Sequence, residues 1–339
     1  MARAKARGMK TQAAQIRADV SVVIAAFDAA DCIERALDSA VRQTLPPREI
    51  LVVDDGSTDA TADLVRGFSA AWPCVNLISL PVNVGPSAAR NVAMQAARGK
   101  WVAILDADDA WRPDRLESLT AWAERLDADL MADNLIFYDQ HAAVPGRKAF
   151  SASSPVRQIG IQDLFESDLQ DHSLFSYGLL KPLFRKAFIE RTGLFYDESI
   201  RCGEDFHYYA ELMFHGARCF VTRDAYYIYT TPVGEFSRQV STARTTIARF
   251  DEILRNADVL AARYAGAVDV RLAAAMGRRR RMLEAVRGAD IAREYRSSGN
   301  FGRYVATVLS QPATFGLLFY RFRRRIRRAL DRRLARRRT

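Results

Sequence analysis

The chain has 339 residues, 49% of them hydrophobic, which suits one large or two modest domains with a proper core and excludes an intrinsically disordered chain. Its formal net charge of +10 suggests a polyanionic partner, but residues 321–339 alone hold eleven arginines against a single acid, Asp331. The body is therefore near neutral, and any case for nucleic-acid binding has to come from the basic ends, residues 1–18 and 321–339.

The N-terminal stretch carries basic residues but no apolar segment of signal-peptide length before Asp19, which predicts a cytoplasmic protein. Cys32, Cys74, Cys202 and Cys219 form no CxxC pair and read as reduced and structural. His141, His172, His207 and His215 show no zinc-binding spacing. No GxSxG elbow and no GxxxxGK[ST] loop occurs, so hydrolase and P-loop readings have no support.

In chain order, the first element is the apolar, β-branched run Val20–Phe27, as expected of a strand covered on both faces. A helix follows, with Asp31 and Glu34 as a capping pattern and Ile33, Leu37, Ala40 and Val41 on one face, ended by Pro46-Pro47. The cycle repeats: strand EILVVD, helix from Thr58, strand VNLISL, helix Pro86–Arg98 closed by Gly99, strand WVAIL. Such alternation predicts an α/β fold with a mostly parallel sheet and a ligand site beyond the carboxyl ends of its strands. The polar groups at those ends are Phe27-Asp28, Asp54–Asp59, Asn83-Val84-Gly85 and Asp106–Asp109. A GxGxxG fingerprint after the first strand is missing, which weighs against a Rossmann dehydrogenase.

Each motif has a bland alternative. DADD puts three carboxylates in four residues, a repulsion that Mg²⁺ or Mn²⁺ bridging a diphosphate would relieve, although Asp109 could simply cap a helix begun by Pro113. In DDGSTD, Gly56-Ser57 is a turn and Thr58 or Asp59 a cap, but two adjacent carboxylates remain, one able to accept from a pyrimidine N–H. Phe27 is a core aromatic or a surface for a base. Arg90 is a solvated arginine or a bidentate ligand of a diphosphate near a helix N-terminus. Gly203-Glu204-Asp205 opens a helix whose acids either complement its dipole or take a proton from an attacking hydroxyl.

Taken in order, VSVVIAAFD, DDGSTD, NVGPSAARN, DADD and GEDF resemble the family-2 glycosyltransferases of GT-A fold over residues 18–231. The resemblance implies a nucleotide-diphosphosugar transferase fold, a mostly parallel central sheet flanked by helices, here with a helical basic C-terminal extension. It implies inversion by a single in-line displacement from a UDP-sugar, with Mn²⁺ or Mg²⁺. By the same resemblance Phe27 stacks on uracil, Asp55 binds the base and Arg90 lies near the diphosphate, with Asp28 and Asn83 on the same donor-binding edge. Asp106 and Asp108 match the D-x-D pair, with Asp106 toward ribose and metal, Asp108 on the metal and Asp109 assisting. Asp205 matches the general base, with Glu204 beside it. Two departures stand out: the first motif reads Ala25-Ala26-Phe27-Asp28 where the family has P-x-Y/F-N, and the Q-x-x-R-W motif of processive synthases is absent. A single-hexose, non-processive transfer follows, similar to bacterial enzymes that extend lipid-linked exopolysaccharide repeat units such as succinoglycan, with glucose as the expected hexose.

The expected layout is a basic extension 1–18, a catalytic domain 19–235 with donor half 19–130 and acceptor half 131–235, and a helical region 236–339. Trp111, Phe175 and Tyr177 are stacking candidates for the acceptor. The stretch Tyr304–Tyr320 is apolar but short of the ~20 residues of a spanning helix. In the tail, Phe322, Ile326, Leu330 and Leu334 recur between arginines as in an amphipathic helix on anionic lipid, which predicts peripheral attachment at the inner face of the plasma membrane; a solvated tail is the alternative. The rival functions are a polyanion-binding protein acting through the arginines, and another nucleotide-sugar enzyme such as a nucleotidyltransferase, whose glycine-rich loop AAFDAAD does not provide.

Overall fold

The structure, a computed structural model, describes residues 17–139, 144–168, 175–231, 243–310, 314–316 and 319. The expected N-terminal extension lies outside the described residues but for Arg17 and Ala18, and the tail 321–339 lies outside them entirely.

The first half follows the predicted alternation: β1 (Ala18–Ala26), α1 (Ile33–Val41), β2 (Pro47–Asp54), α2 (Thr61–Ala71), β3 (Val75–Ser79), α3 (Pro86–Ala96) and β4 (Trp101–Ile104). After it come β5 (Ala110–Trp111), α4 (Arg115–Arg125), β6 (Leu130–Asp139), β7 (Val144–Lys148), β8 (Val156–Ile159), α5 (Ile161–Ser167), a 3-10 turn Tyr177–Leu179, β9 (Leu183–Arg185), α6 (Lys186–Thr192), α7 (Glu204–Phe214) and β10 (Cys219–Thr231). The C-terminal region is helical: α8 (Ala243–Arg263), α9 (Val270–Ser297) and α10 (Phe301–Ser310).

All these strands join one sheet in the order β3-β2-β1-β4-β9-β6-β10-β5, with β7 added to β6 and β8 to β10. β3, β2, β1 and β4 are mutually parallel, β9 runs antiparallel between β4 and β6, and β6 pairs parallel with β10. The α/β sheet with its parallel first half is thus observed, but the expected mostly parallel sheet is corrected to a mixed one: β9, β5, β7 and β8 pair antiparallel with their neighbours. The run Val20–Ile24 of β1 is buried throughout, polar Ser21 included; α3 packs against β1, while α1 buries Ile33, Ala36, Leu37, Ala40 and Val41 beside β2 and β5.

Two local expectations change. The Asp31/Glu34 capping pattern does not form: the residue before α1 is Cys32, without a side-chain cap, and the entry is closed by backbone bonds from Cys32 and Ile33 to the Ala29 carbonyl. The second helix starts at Thr61 rather than Thr58, because Thr58 donates its N–H to Asp28 and Asp59 accepts from the Thr61 N–H, which keeps residues 58–60 in a turn.

Behind the sheet, buried Glu49 of β2 joins three segments. It accepts from the Ser21 hydroxyl at 2.7 Å, from the Arg98 N–H at 2.8 Å and from the Arg98 guanidinium. Burial would raise its pKa, but the hydrogen bonds from Arg98 and Ser21 outweigh it and hold the carboxyl below its ordinary value. A lowered carboxyl pKa gives stability that is present above the unfolded value and lost as pH falls through the folded one. Glu49→Gln is therefore expected to cost about 2 kcal/mol at neutral pH and progressively less below pH ~4. Denaturant melts of both proteins across pH 3–7 check it; a cost that does not shrink in acid would contradict the assignment.

The C-terminal helices are tied to the sheet near one loop. Glu252 of α8 accepts from the backbone N–H groups of Arg201 and Cys202, just ahead of α7. Arg279 of α9 lies 3.7 Å from the Phe206 ring centroid and pairs with Asp168 at 2.6 Å. α8 and α9 thus brace the start of α7, which carries Glu204 and Asp205.

Candidate active site

Two clusters form at the carboxyl edge of the sheet. The first joins the ends of β1, β2 and β3. Asp28, at φ +44°, accepts from the Thr58 N–H at 2.8 Å, and its own N–H donates to the Ser57 hydroxyl. Asp55 is buried, and its two oxygens accept from the Val84 and Gly85 N–H groups at 2.7 and 2.8 Å. This fixes the turn that presents Asn83, which is exposed, and launches α3 at Pro86. Two glycines make the approach possible. Gly56 sits at φ +71° with space for no Cβ, since one would lie 2.7 Å from the Val82 carbonyl carbon. At Gly85, φ +97°, a Cβ would overlap the Arg201 guanidinium. Phe27, at the end of β1, remains 49% exposed, unlike the core aromatics.

The second cluster centres on two buried cations. Arg90 of α3 donates to Asp106 at 2.9 Å and to Glu204 at 2.9 Å, stands 3.8 Å from Asp205, and lies over the Tyr196 ring at 5.4 Å. Lys181, just before β9, bridges Asp106 at 2.8 Å and Asp205 by a shorter contact. Tyr196 donates its hydroxyl to Asp205 at 3.0 Å. Burial alone would depress both cations; Asp205 and Asp106 more than offset it, so Arg90 and Lys181 stand well above their ordinary pKa values. Against its own burial, Asp106 is held below the usual carboxylate range by Lys181 and Arg90. Two cations thus face three acids.

Of the five acids predicted in DADD and GEDF, the structure joins Asp106, Glu204 and Asp205 to Arg90 in this cluster. Asp108 is part-exposed beside them, its carbonyl accepting from Arg35 of α1. Asp109 is placed differently. It is 2% exposed, its oxygens accept from the Tyr227 hydroxyl and the Thr230 N–H, both at 2.7 Å, and burial beside Asp108 and Asp106 raises its pKa well above normal. It ties the acidic loop to β10, and it does not cap α4, which begins at Arg115. The acceptor-stacking candidates are corrected outright: Trp111, Phe175 and Tyr177 are all buried. Trp111 covers the Arg115 guanidinium at 4.5 Å, and Phe175 and Tyr177 pack edge to face at 5.0 Å, so these rings are core.

Among the described residues no three His, Cys, Asp or Glu side chains gather as a protein-only metal cage. Asp109 is closed off by Tyr227 and Thr230, so the protein would offer a divalent ion at most the carboxylates of Asp108 and Asp106. That donor set fits Mg²⁺ or Mn²⁺ held largely by substrate phosphates, and does not fit a self-sufficient site.

Sequence reasoning missed Lys181, Tyr196 and Tyr227. The one available signal was a lysine inside the apolar stretch SYGLLKPLF, where burial of a cation demands a partner.

The sequence model described as "Glycosyl transferase family 2" matches residues 21–192. The chain is 40% identical over 224 residues to the succinoglycan biosynthesis protein ExoO of Rhizobium meliloti, covering 65% of this chain and 63% of that protein. It is 37% identical over 207 residues to ExoU of the same organism, covering 59% and 58%. The match thus spans about three-fifths of these relatives' length. Among solved structures, S. aureus TarS residues 1–349 with UDP-GlcNAc superposes with TM-score 0.55 at 18% identity, over 86% of this chain and 90% of that one. The mannosyltransferase PcManGT of Pyrobaculum calidifontis with GDP-Man and Mn²⁺ does so with TM-score 0.57 at 19% identity, over 89% and 84%.

Proposed function

Because the chain belongs to glycosyl transferase family 2, we propose that it is an inverting, non-processive hexosyltransferase that moves one sugar, glucose as first expectation, from a UDP-sugar to a lipid-linked oligosaccharide in exopolysaccharide assembly. The observation that carries the reading is the buried cluster in which Arg90 and Lys181 hold Asp106 of the acidic loop against Glu204 and Asp205 of α7. The sugar nucleotides bound in the TarS and PcManGT complexes support a nucleotide-sugar donor, and the succinoglycan proteins support an exopolysaccharide acceptor.

In this reading the base lies on exposed Phe27, within reach of Asp55, with Asp28 and Asn83 bordering it. Arg90 and Lys181 fix Asp106 and Asp205 across the cleft, and Glu204 holds Arg90. Asp205 takes the proton of the acceptor hydroxyl as the new C1–O bond forms and the bond from C1 to the diphosphate oxygen breaks. Tyr196 and Lys181 orient that carboxylate. Mn²⁺ or Mg²⁺, held by Asp108 with Asp106, would neutralise charge on the departing nucleoside diphosphate. The Asp109–Tyr227–Thr230 bonds keep the acidic loop in place for it. On this reading the protein acts at the cytoplasmic face of the membrane, where a lipid-linked acceptor would be met.

The test is nucleoside-diphosphate release from a panel of UDP- and GDP-sugars with Mn²⁺, with and without EDTA and with a lipid-linked acceptor extract. Release from one donor, abolished by EDTA and reduced about 10²-fold or more in Asp108→Ala, is expected. Silence across the panel would instead favour polyanion binding through the arginine-rich tail.

A further inference from the structure

Large exposed apolar side chains concentrate in one segment. Phe301, Val305, Leu309, Phe315 and Phe319 are each between 49% and 74% exposed, the highest of them Leu309. Phe301, Val305 and Leu309 recur every four residues and line one stripe of α10. This stripe is not what holds α10 to the protein. α10 packs on α9, where Gly288, Ala289 and Ala292 are buried and small, and its own half-buried residues are Tyr304, Thr307 and Val308. Further on, buried Thr314 donates its hydroxyl to the Ala285 carbonyl at 3.4 Å.

Residues 304–320 contain no charged side chain, and the eleven arginines of 321–339 follow at once. The uncharged stretch is shorter than the ~20 residues that cross a bilayer. Among the described residues no helix is long and apolar enough to cross one. An apolar face beside a polybasic stretch supplies the two signals that together anchor a protein at an anionic lipid surface.

We propose that the exposed Phe301, Val305, Leu309, Phe315 and Phe319 seat at the headgroup–acyl boundary of a bilayer, and that the eleven arginines following them in the sequence make the preferred bilayer an anionic one. A second copy of the chain is the poorer occupant, since a symmetric contact through this face would bring two eleven-arginine tails together. The inference rests on the lipid-linked acceptor reading for its purpose alone; lipid binding is measured without donor or turnover.

The test is flotation of the full chain with phosphatidylglycerol–phosphatidylcholine vesicles and with phosphatidylcholine alone, for the wild type and Val305→Glu/Leu309→Glu. The wild type is expected to float with the anionic vesicles and less so at high salt. The double variant should partition at least about tenfold more weakly, with its melting temperature unchanged because both positions face outward. Val305→Gln/Leu309→Gln gives the same reading should the charged variant fail to fold. Wild-type flotation that the substitutions leave intact overturns the proposal in favour of the arginines alone. A wild type that does not float overturns it too, and sedimentation velocity then reports whether a second copy covers the face. Nucleoside-diphosphate release to a soluble acceptor is expected to be equal in all three proteins, which separates failure of this inference from failure of the transferase reading.

Discussion

Asp205→Asn is expected to lower sugar transfer by about 10²–10⁴-fold while leaving donor binding within a few-fold of wild type. The amide keeps the shape and can still accept from Tyr196, but it cannot take up the proton of an attacking hydroxyl. Lys181 keeps Asp106 as a counter-charge at 2.8 Å and Arg90 keeps Asp106 and Glu204, so each cation retains a carboxylate in the variant. The loss should therefore appear in kcat, with the melting temperature little changed. Single-turnover transfer and UDP titration of both proteins, beside their melting curves, separate these effects. Transfer at the wild-type rate in a folded Asp205→Asn protein would remove Asp205 from the chemistry; weakened UDP binding with unaltered kcat would make it a donor-site residue.

Asp133→Ala is expected to be the most destabilising single change near the site, by about 3–5 kcal/mol. Arg115 of α4 and Asp133 of β6 pair at 2.9 Å with both side chains fully buried, and Asp133 also accepts from the Tyr226 N–H at 3.1 Å. The guanidinium lies between the Trp111 and Tyr227 rings, at 4.5 and 5.2 Å, and donates to the Lys181 carbonyl. Alanine leaves that guanidinium dry and without its carboxylate, whereas replacing both partners by apolar residues, Asp133→Leu with Arg115→Met, should restore much of the loss. Urea melts of the single and double variants check it. A single variant that loses under about 1 kcal/mol would mean that water reaches Arg115 and that the pair is not an isolated buried one. Because Arg115 also holds the Lys181 backbone, the single variant should lose activity in step with its loss of order around β9.

The element pattern of the first half was open to reading because it is written locally. Apolar runs such as VSVVIAA specify covered strands, and the polar groups following them fall at one sheet edge by topology alone. Phe27, Asp28, Asn83 and the acidic stretches 54–59 and 106–109 could be selected on that ground, whereas the choice of Asp55 and Asp106 within them, the role of Arg90 and the GEDF motif came from the match to a family. Boundaries were less legible. The Asp28–Thr58 bond that delays α2 joins residues thirty apart, and nothing near Thr58 announces it.

What the sequence determined by itself, then, is the alternation, the sheet edge and the residue types gathered there, since each depends on neighbours a few positions away. The tertiary structure alone decided which carboxylates face which cations. Asp106 and Asp109 stand three residues apart in one loop, yet one meets Lys181 and Arg90 while the other is closed off by Tyr227 and Thr230. The same holds for Trp111, Phe175 and Tyr177, whose aromatic character suits a cleft or a core equally well until packing assigns them to the core. Insertion of β9 between β4 and β6 is what brings Lys181 to the acidic loop. That pairing is fixed by burial and sheet order, physical constraints that act between distant segments and leave no periodic trace in the chain.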